Sequence, residues 1–208
     1  MIRLYGNPST RANRVMWLLE ELGIEYEQIE AFDENDVATA ELRSLNPNAK
    51  VPVLVSGDFT MSESLAINLH LVERHGGDLA PKTDEGRARG LQWTLWAATE
   101  LEPRVMEVSR NRLPGGDLTP DEKLAVEAER ELLPILRVLD DGLAGSGHLV
   151  EERFTIADVN VGAVLAPAVP SRVDFGPVPN VDKWIKSLLQ RPAAQSVYAK
   201  AMKAAGLA

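Results

Sequence analysis

Residues 50–64 read KVPVLVSGDFTMSES. Val51 to Val55 is an apolar, β-branched run that predicts a strand. Phe59 to Met61 predicts its partner, and Ser56-Gly57-Asp58 supplies the turn between them. Pro52 stands at the start of the first strand, where it removes a hydrogen-bond donor. A proline is tolerated there when that edge has another use. Ser62-Glu63-Ser64 then reads as the start of a helix that runs from about Glu63 to His75.

Upstream, Ile2 to Gly6 is a short apolar strand ending in Gly-Asn-Pro-Ser-Thr, a cluster of turn and cap residues. In the helix that follows, Val15, Leu18, Leu19 and Leu22 fall at i, i+3, i+4 and i+7, so one face is apolar. Gly23 suits the helix end. Ile24 to Ile29 predicts a second strand, completing a strand–helix–strand unit near the minimum length for a parallel crossover. Residues 33–49 are polar and predict a short helix and a loop. The order over residues 1–75 is therefore β-α-β-α-β-β-α.

Downstream, residues 76–86 (GGDLAPKTDEG) have the composition of a linker, and after them the strand signals stop. Leu91, Leu95, Ala98, Leu101, Val105 and Val108 step by three and four along a long helix that Pro103 is expected to kink. Thr119-Pro120-Asp121-Glu122 predicts a capping box with Thr119 as N-cap, and Leu124, Ala128, Leu132, Ile135 and Leu139 follow on one face. Thr155-Ile156-Ala157-Asp158 predicts a second box, opening a helix that is apolar nearly all round and so buried. Val181 to Leu189 and residues 193–204 predict two more helices. The fold class is an α/β N-terminal domain (residues 1–75), a linker (76–86) and an all-α C-terminal domain (87–208).

The chain has 208 residues, 45% hydrophobic and 25% charged, a globular balance. Its net charge of −9 argues against nonspecific binding of nucleic acid or an anionic membrane. With no cysteine there are no disulfides, no thiolate metal sites and no protein-thiol mechanism. His70, His75 and His148 lack metal-ligand spacing, so no metal is expected. The chain shows neither a signal-peptide run nor a membrane span, and a cytoplasmic location is expected.

A cis bond is cheap only before proline, at roughly 0.5–1 kcal/mol. A cis Val51-Pro52 bond would leave the Val51 backbone able to pair with an extended peptide. The helix start at Ser62-Glu63-Ser64 favours a carboxylate. Together these describe a cradle for a short peptide-like ligand with an α-amino acid at one end. The plainer alternative is that Pro52 shapes a turn and Ser62 caps a helix. Ser9 and Thr10 place hydroxyls beside the first helix, where a thiolate gains a hydrogen bond, the helix dipole and the charge of Arg11 or Arg14. A thiol with pKa near 8.5 must fall by about two to be mostly ionised at neutral pH. The alternative is that one of these hydroxyls is simply the N-cap.

LYGNPSTRANRVMWLLEELGIEYE, NPNAKVPVLVSGDFTMSESLAI and RFTIADVNVGAVL resemble the cytosolic glutathione transferase family, in the same order and at the usual separations over nearly the whole chain. The resemblance implies a thioredoxin-like N-terminal domain and a helical C-terminal domain. It also implies glutathione as cosubstrate, a small hydrophobic electrophile bound between the domains, a homodimer and no metal or redox cofactor. The family's cis-proline falls on Pro52, its main-chain contact to the cysteinyl part of glutathione on Val51, and its γ-glutamyl contacts on Glu63 and Ser64. Lys50 matches a position that often reaches the glycyl or main-chain carboxylate region. Thr155 and Asp158 match the family's buried capping box. The thiol-activating residue falls on Ser9 by alignment to the plant-type and theta-like classes, on Thr10 by a pattern common in bacterial members, and on Tyr5 by a third pattern. Classes with a catalytic cysteine are excluded by composition. Asn7, Pro8 and the Met106–Arg110 turn are expected to line the acceptor site. Rival readings are a non-catalytic binding or dimerisation module, and a glutathione-dependent isomerase or peroxidase.

Overall fold

The computed structural model describes residues 1–31, 37–113 and 119–204. Part of the residue 33–49 segment read as polar loop and short helix lies outside the described residues. The chain divides into two units, Met1–Gly77 with Gln190–Ala208, and Asp78–Leu189.

The first unit holds β1 (Ile2–Tyr5), α1 (Ala12–Glu21), β2 (Tyr26–Ile29), α2 (Val37–Leu45), β3 (Val53–Ser56), β4 (Phe59–Ser62) and α3 (Ser64–His75). Its sheet has the order β2-β1-β3-β4, with β1 parallel to β2 and antiparallel to β3. Successive strand residues face opposite ways. Tyr5, Val53 and Val55 join Ala31 and Leu42 in one buried cluster, and Leu4 and Leu54, one step out of phase, face the other side. Val15, Leu18 and Leu19 are buried as the helical spacing of α1 predicts. Gly23, at φ +63°, ends α1: its N–H reaches the Glu20 carbonyl and that of Ile24 reaches the Leu19 carbonyl, a paired arrangement in which a left-handed residue closes the last turn. The third strand begins at Val53, so Val51 and Pro52 lie before it.

Helix α9 (Pro192–Ala204), expected with the helical domain, clusters with this first unit. It packs on α1 through Ala193, Ala194 and Val197. Arg191 grips Glu21 with two bonds of 2.7 and 2.8 Å, and Lys200 meets Glu20 at 2.6 Å.

The second unit holds α4 (Asp84–Trp96), α5 (Glu102–Arg112), α6 (Glu122–Leu143), α7 (Ile156–Leu165) and α8 (Pro179–Leu189). Between α4 and α5, Ala97–Leu101 forms a π-helical turn. Pro103 has no N–H to offer the carbonyl one turn back, so the irregularity falls in the turn before it. The extra residue rotates the buried stripe. Thr94, Ala97, Leu101, Val105 and Val108 face the core, while Leu91 and Leu95, expected on that face, are exposed. The cap of α6 also differs from expectation. Asp121, not Thr119, accepts from the Lys123 and Leu124 N–H groups, because the helix starts two residues later than the Thr-Pro pair suggested. Helix α7 is buried along its whole length, and the Thr155/Asp158 box is formed in both directions.

Candidate active site

All seven residues singled out for chemistry, Ser9, Thr10, Lys50, Val51, Pro52, Glu63 and Ser64, belong to the first unit. They sit on three connections: β1 to α1, α2 to β3, and β4 to α3.

The β1–α1 connection separates its two hydroxyls. Thr10 Oγ1 donates to the Asn7 carbonyl at 2.7 Å and accepts from the Ala12 N–H at 3.3 Å, so its hydrogen is used within the loop. Helix α1 begins at Ala12 behind Arg11, whose side chain makes no cap, and Thr10 supplies that function one residue earlier. Ser9 is exposed. Its N–H donates to Asn7 Oδ1 at 2.8 Å, and among the described residues no hydrogen bond engages its Oγ. Adjacent hydroxyls at one helix start thus have different states, one consumed and one available.

Tyr5 takes a different part. Its ring is wholly buried in the cluster under the sheet, and its phenol oxygen has no hydrogen-bond partner among the described residues. Burial, and then the nearby Glu41 carboxylate, push its pKa up to about 12. A donor to a thiolate needs access to the sulfur, and stabilising its own charge would lower this value; Tyr5 meets neither condition.

Gly6 holds the loop against the second connection. At φ +126° it occupies a conformation open to glycine. A Cβ there would lie 2.8 Å from Ala12 Cβ, 3.1 Å from Val51 Cβ and 3.3 Å from Thr10 Oγ1. The start of α1 and Val51 therefore approach closely only because residue 6 has no side chain. The Val51-Pro52 bond is cis, and Pro52 is buried. Among the described residues no backbone hydrogen bond engages Val51. Lys50 is exposed, and its carbonyl accepts from Asn46 Nδ2 at 2.8 Å, which fixes the backbone just before the turn.

At the third connection Glu63 is exposed, with φ +70° and ψ +104°. That region is costly for any residue with a Cβ, about 1–3 kcal/mol. Glu63 precedes α3 in the N-cap position and makes no side-chain cap, so the amides of the first turn lack the usual internal acceptor. Ser64 is buried, and its Oγ accepts from Arg14 Nη1 at 3.4 Å. Asn68 Nδ2 donates to the Arg14 carbonyl at 3.1 Å. Gly6 and the Arg14–Ser64 link did not emerge from sequence reasoning as parts of the site; the glycine directly after a strand was the available signal for the first.

Residues 1–73 match the family model described as glutathione S-transferase, N-terminal domain, and residues 97–192 match glutathione S-transferase, C-terminal domain. The chain is 31% identical to glutathione S-transferase GstB of Escherichia coli K12, over 95% of this chain and 97% of that protein. The chain belongs to the glutathione S-transferase family. Within it, the chain is also 28% identical to the E. coli K12 disulfide-bond oxidoreductase YfcG, over 97% of this chain and 96% of that one. Among solved glutathione S-transferases, transferase I bound with lactoylglutathione superposes with a TM-score of 0.86 at 25% identity, covering 95% of this chain and 98% of that one. The two-part architecture expected from the family resemblance, a thioredoxin-like unit with a four-stranded mixed sheet and a helical unit, is the one observed.

No helix of the described residues is long and apolar enough to cross a membrane. Among the same residues no group of three His, Cys, Asp or Glu is arranged to hold a metal ion.

Proposed function

We propose that this protein is a glutathione transferase that stabilises the glutathione thiolate and presents it to an electrophilic small molecule. The Val51 backbone pairs with the cysteinyl part of glutathione. Glu63, Ser64 and the first amides of α3 hold the γ-glutamyl amino acid, and Lys50 reaches the glycyl carboxylate. Ser9 Oγ donates to the sulfur. The thiol proton passes to solvent, sulfur bonds to the electrophilic carbon, and the leaving group departs with the bonding pair. Proximity and the stored anion share the rate enhancement.

The observation that carries this reading is the start of α3, where a strained Glu63 leaves the first turn without an internal cap. A helix end in that condition is suited to an incoming carboxylate. The test is a thermal melt with millimolar glutathione or S-hexylglutathione, paired with turnover of an aryl halide. A ligand at about 100 times its Kd adds about 2.7 kcal/mol, a readily measured rise in midpoint. Flat melts with both ligands and no turnover would return the chain to a non-catalytic module. Hydroperoxides, glutathionyl disulfides and isomerisable substrates in the same assay separate transferase from redox or isomerase chemistry, as similarity to a disulfide-bond oxidoreductase recommends.

The proposal includes a homodimer in the cytoplasm. The exposed Leu91 and Leu95, one turn apart on α4, support a partner surface there. Light scattering should give twice the 22.8 kDa chain mass.

A further inference from the structure

Strand β2 (Tyr26–Ile29) stands at one end of the sheet order, and among the described residues β1 is its one strand partner. The Gly6 N–H donates to the Ile29 carbonyl at 2.9 Å, so Ile29 turns its backbone groups towards β1. Along a strand these groups alternate sides from residue to residue. Glu27 therefore faces β1 as well, and the N–H and C=O of Tyr26 and Gln28 point out of the sheet. Among the described residues no hydrogen bond engages them on that side.

A groove of about 540 Å3 lies here, lined by Ile24, Glu25, Tyr26, Glu27 and Gln28 in unbroken succession, with Met1 and Lys200. Successive strand side chains leave by opposite faces. Consecutive residues share one groove because it follows the strand edge itself. The natural occupant of a free edge is a further extended chain, whose main chain completes the ladder.

Charge decides which chain. Glu25 and Glu27 are exposed, and being two apart they leave by the same face. Arg3, opposite Glu27 in the register, is held by Glu41 at 3.1 Å, and Lys200 is held by Glu20 at 2.6 Å. Among the described residues neither Glu25 nor Glu27 has an ion-pair partner. Tyr26 and Gln28 take the other face, where Lys200 Nζ stands 5.7 Å from the centre of the Tyr26 ring. That face already has its cation. A second copy of this edge would bring Glu25 and Glu27 against their own counterparts, and like charges opposite each other are destabilising. A strand with Lys or Arg at every second position instead sets cations opposite both acids. Its intervening residues lie against Tyr26 and Gln28, where apolar β-branched side chains pack.

We propose that the β2 edge is a docking site for a basic, extended segment of a partner protein, in which Lys or Arg alternates with apolar residues. The segment adds as one more strand. The backbone of Tyr26 and Gln28 supplies its hydrogen bonds, and Glu25 and Glu27 select its charge. The site uses none of the residues assigned to glutathione and stands independently of that reading.

The test is calorimetric titration of the full chain at low salt with three short capped peptides. The first alternates Lys and Val. The second carries Glu in place of each Lys. The third is the first peptide N-methylated at every peptide bond, which keeps the charge and removes the main-chain donors. The Lys–Val peptide should bind at least about 10-fold more tightly than either of the others. Glu25→Lys/Glu27→Lys should reverse the choice and favour the Glu–Val peptide. Amide hydrogen exchange should slow most at Tyr26 and Gln28 when the Lys–Val peptide is bound. Equal binding of the N-methylated peptide would reduce the edge to an acidic surface that collects cations, and would overturn the proposal. Failure of the Lys–Val peptide to bind, or protection that falls away from β2, would overturn it too. A charge-reversed variant that still prefers the Lys–Val peptide would remove Glu25 and Glu27 from the site and the proposal with them.

Discussion

Helix α7 opens on Thr155 and Asp158, and helix α3 on Ser62, Glu63 and Ser64: each start carries hydroxyls and an acid. At α7 every group is answered from within. Asp158 is wholly buried, and burial raises its pKa, yet its two oxygens accept from the Thr155 N–H, the Leu149 N–H and Trp184 Nε1 at 3.0–3.3 Å. Thr155 Oγ1 in turn accepts from the Ala157 N–H. At α3 the acid is exposed and held at φ +70°, it caps nothing, and the serine hydroxyl keeps its hydrogen. The same residue types serve folding where their bonds close on themselves and, on the glutathione reading proposed above, serve ligand binding where the backbone keeps them open. The start of α1 repeats the contrast at shorter range, with Thr10 closed and Ser9 open.

The sharpest way to break this comparison is to exchange the effects. Asp158→Ala takes the carboxylate acceptor from four buried donors, the Thr155 N–H and hydroxyl, the Leu149 N–H and Trp184 Nε1, and unfolding free energy should fall by about 3–5 kcal/mol, measured by urea denaturation. The KM for glutathione of the folded fraction should stay near wild type. A KM change as large as the stability change would mean that the closed start also serves the site.

Glu63→Gly should do the reverse. Glycine removes the strain at φ +70°, so the thermal midpoint should hold or rise. Glutathione affinity should drop by roughly 10-fold with the loss of a charged hydrogen-bonding group. Loss of stability with affinity intact would show that Glu63 belongs with Asp158 as a folding residue.

Glu151 offers a milder check on the closed class. Its carboxylate accepts from the Lys82 and Thr83 N–H groups at the start of α4, and those bonds, helped by Arg153, hold its pKa at about 2. A depressed acid contributes stability that is complete above its ordinary value of 4.5 and lost as pH falls towards 2. The midpoint difference between wild type and Glu151→Gln should therefore shrink steadily below pH 4.5. A constant difference down to pH 3 would place the effect outside that carboxylate.

Much of this was legible because it is local. Val51-Pro52 allowed a cis bond that the family resemblance assigned, the Thr155/Asp158 spacing pointed to a capping box, and the i, i+3, i+4 pattern of α1 to its buried face. What escaped depends on partners distant in sequence or on small changes of phase. Thr119 and Asp121 are both good caps, and only the position of the first helical hydrogen bond chooses between them. The π-helical turn before Pro103 rotates Leu91 and Leu95 out of the core, which spacing alone misreads by one residue. The destination of α9 depends on Glu20 and Glu21, some 170 to 180 residues earlier. Arg14 reads as one more cation near a helix start until Ser64 is seen beside it. Residue type and position alone do not separate the neighbouring hydroxyls Ser9 and Thr10, and alignment to different classes points to each; the bond of Thr10 to the Asn7 carbonyl separates them.

That separation carries the central claim, and ultraviolet titration of the thiolate of bound glutathione tests it most directly. With the wild-type protein the thiol should ionise about two pH units below the ordinary thiol value near 8.5. Ser9→Ala should return it most of the way and slow turnover by roughly 10- to 1000-fold, the loss of about 1.4–4 kcal/mol of anion stabilisation. Thr10→Ala should leave the titration in place and lower stability by about 1 kcal/mol. A wild-type titration at the free-thiol value, or a shift on Thr10→Ala with none on Ser9→Ala, would contradict the account.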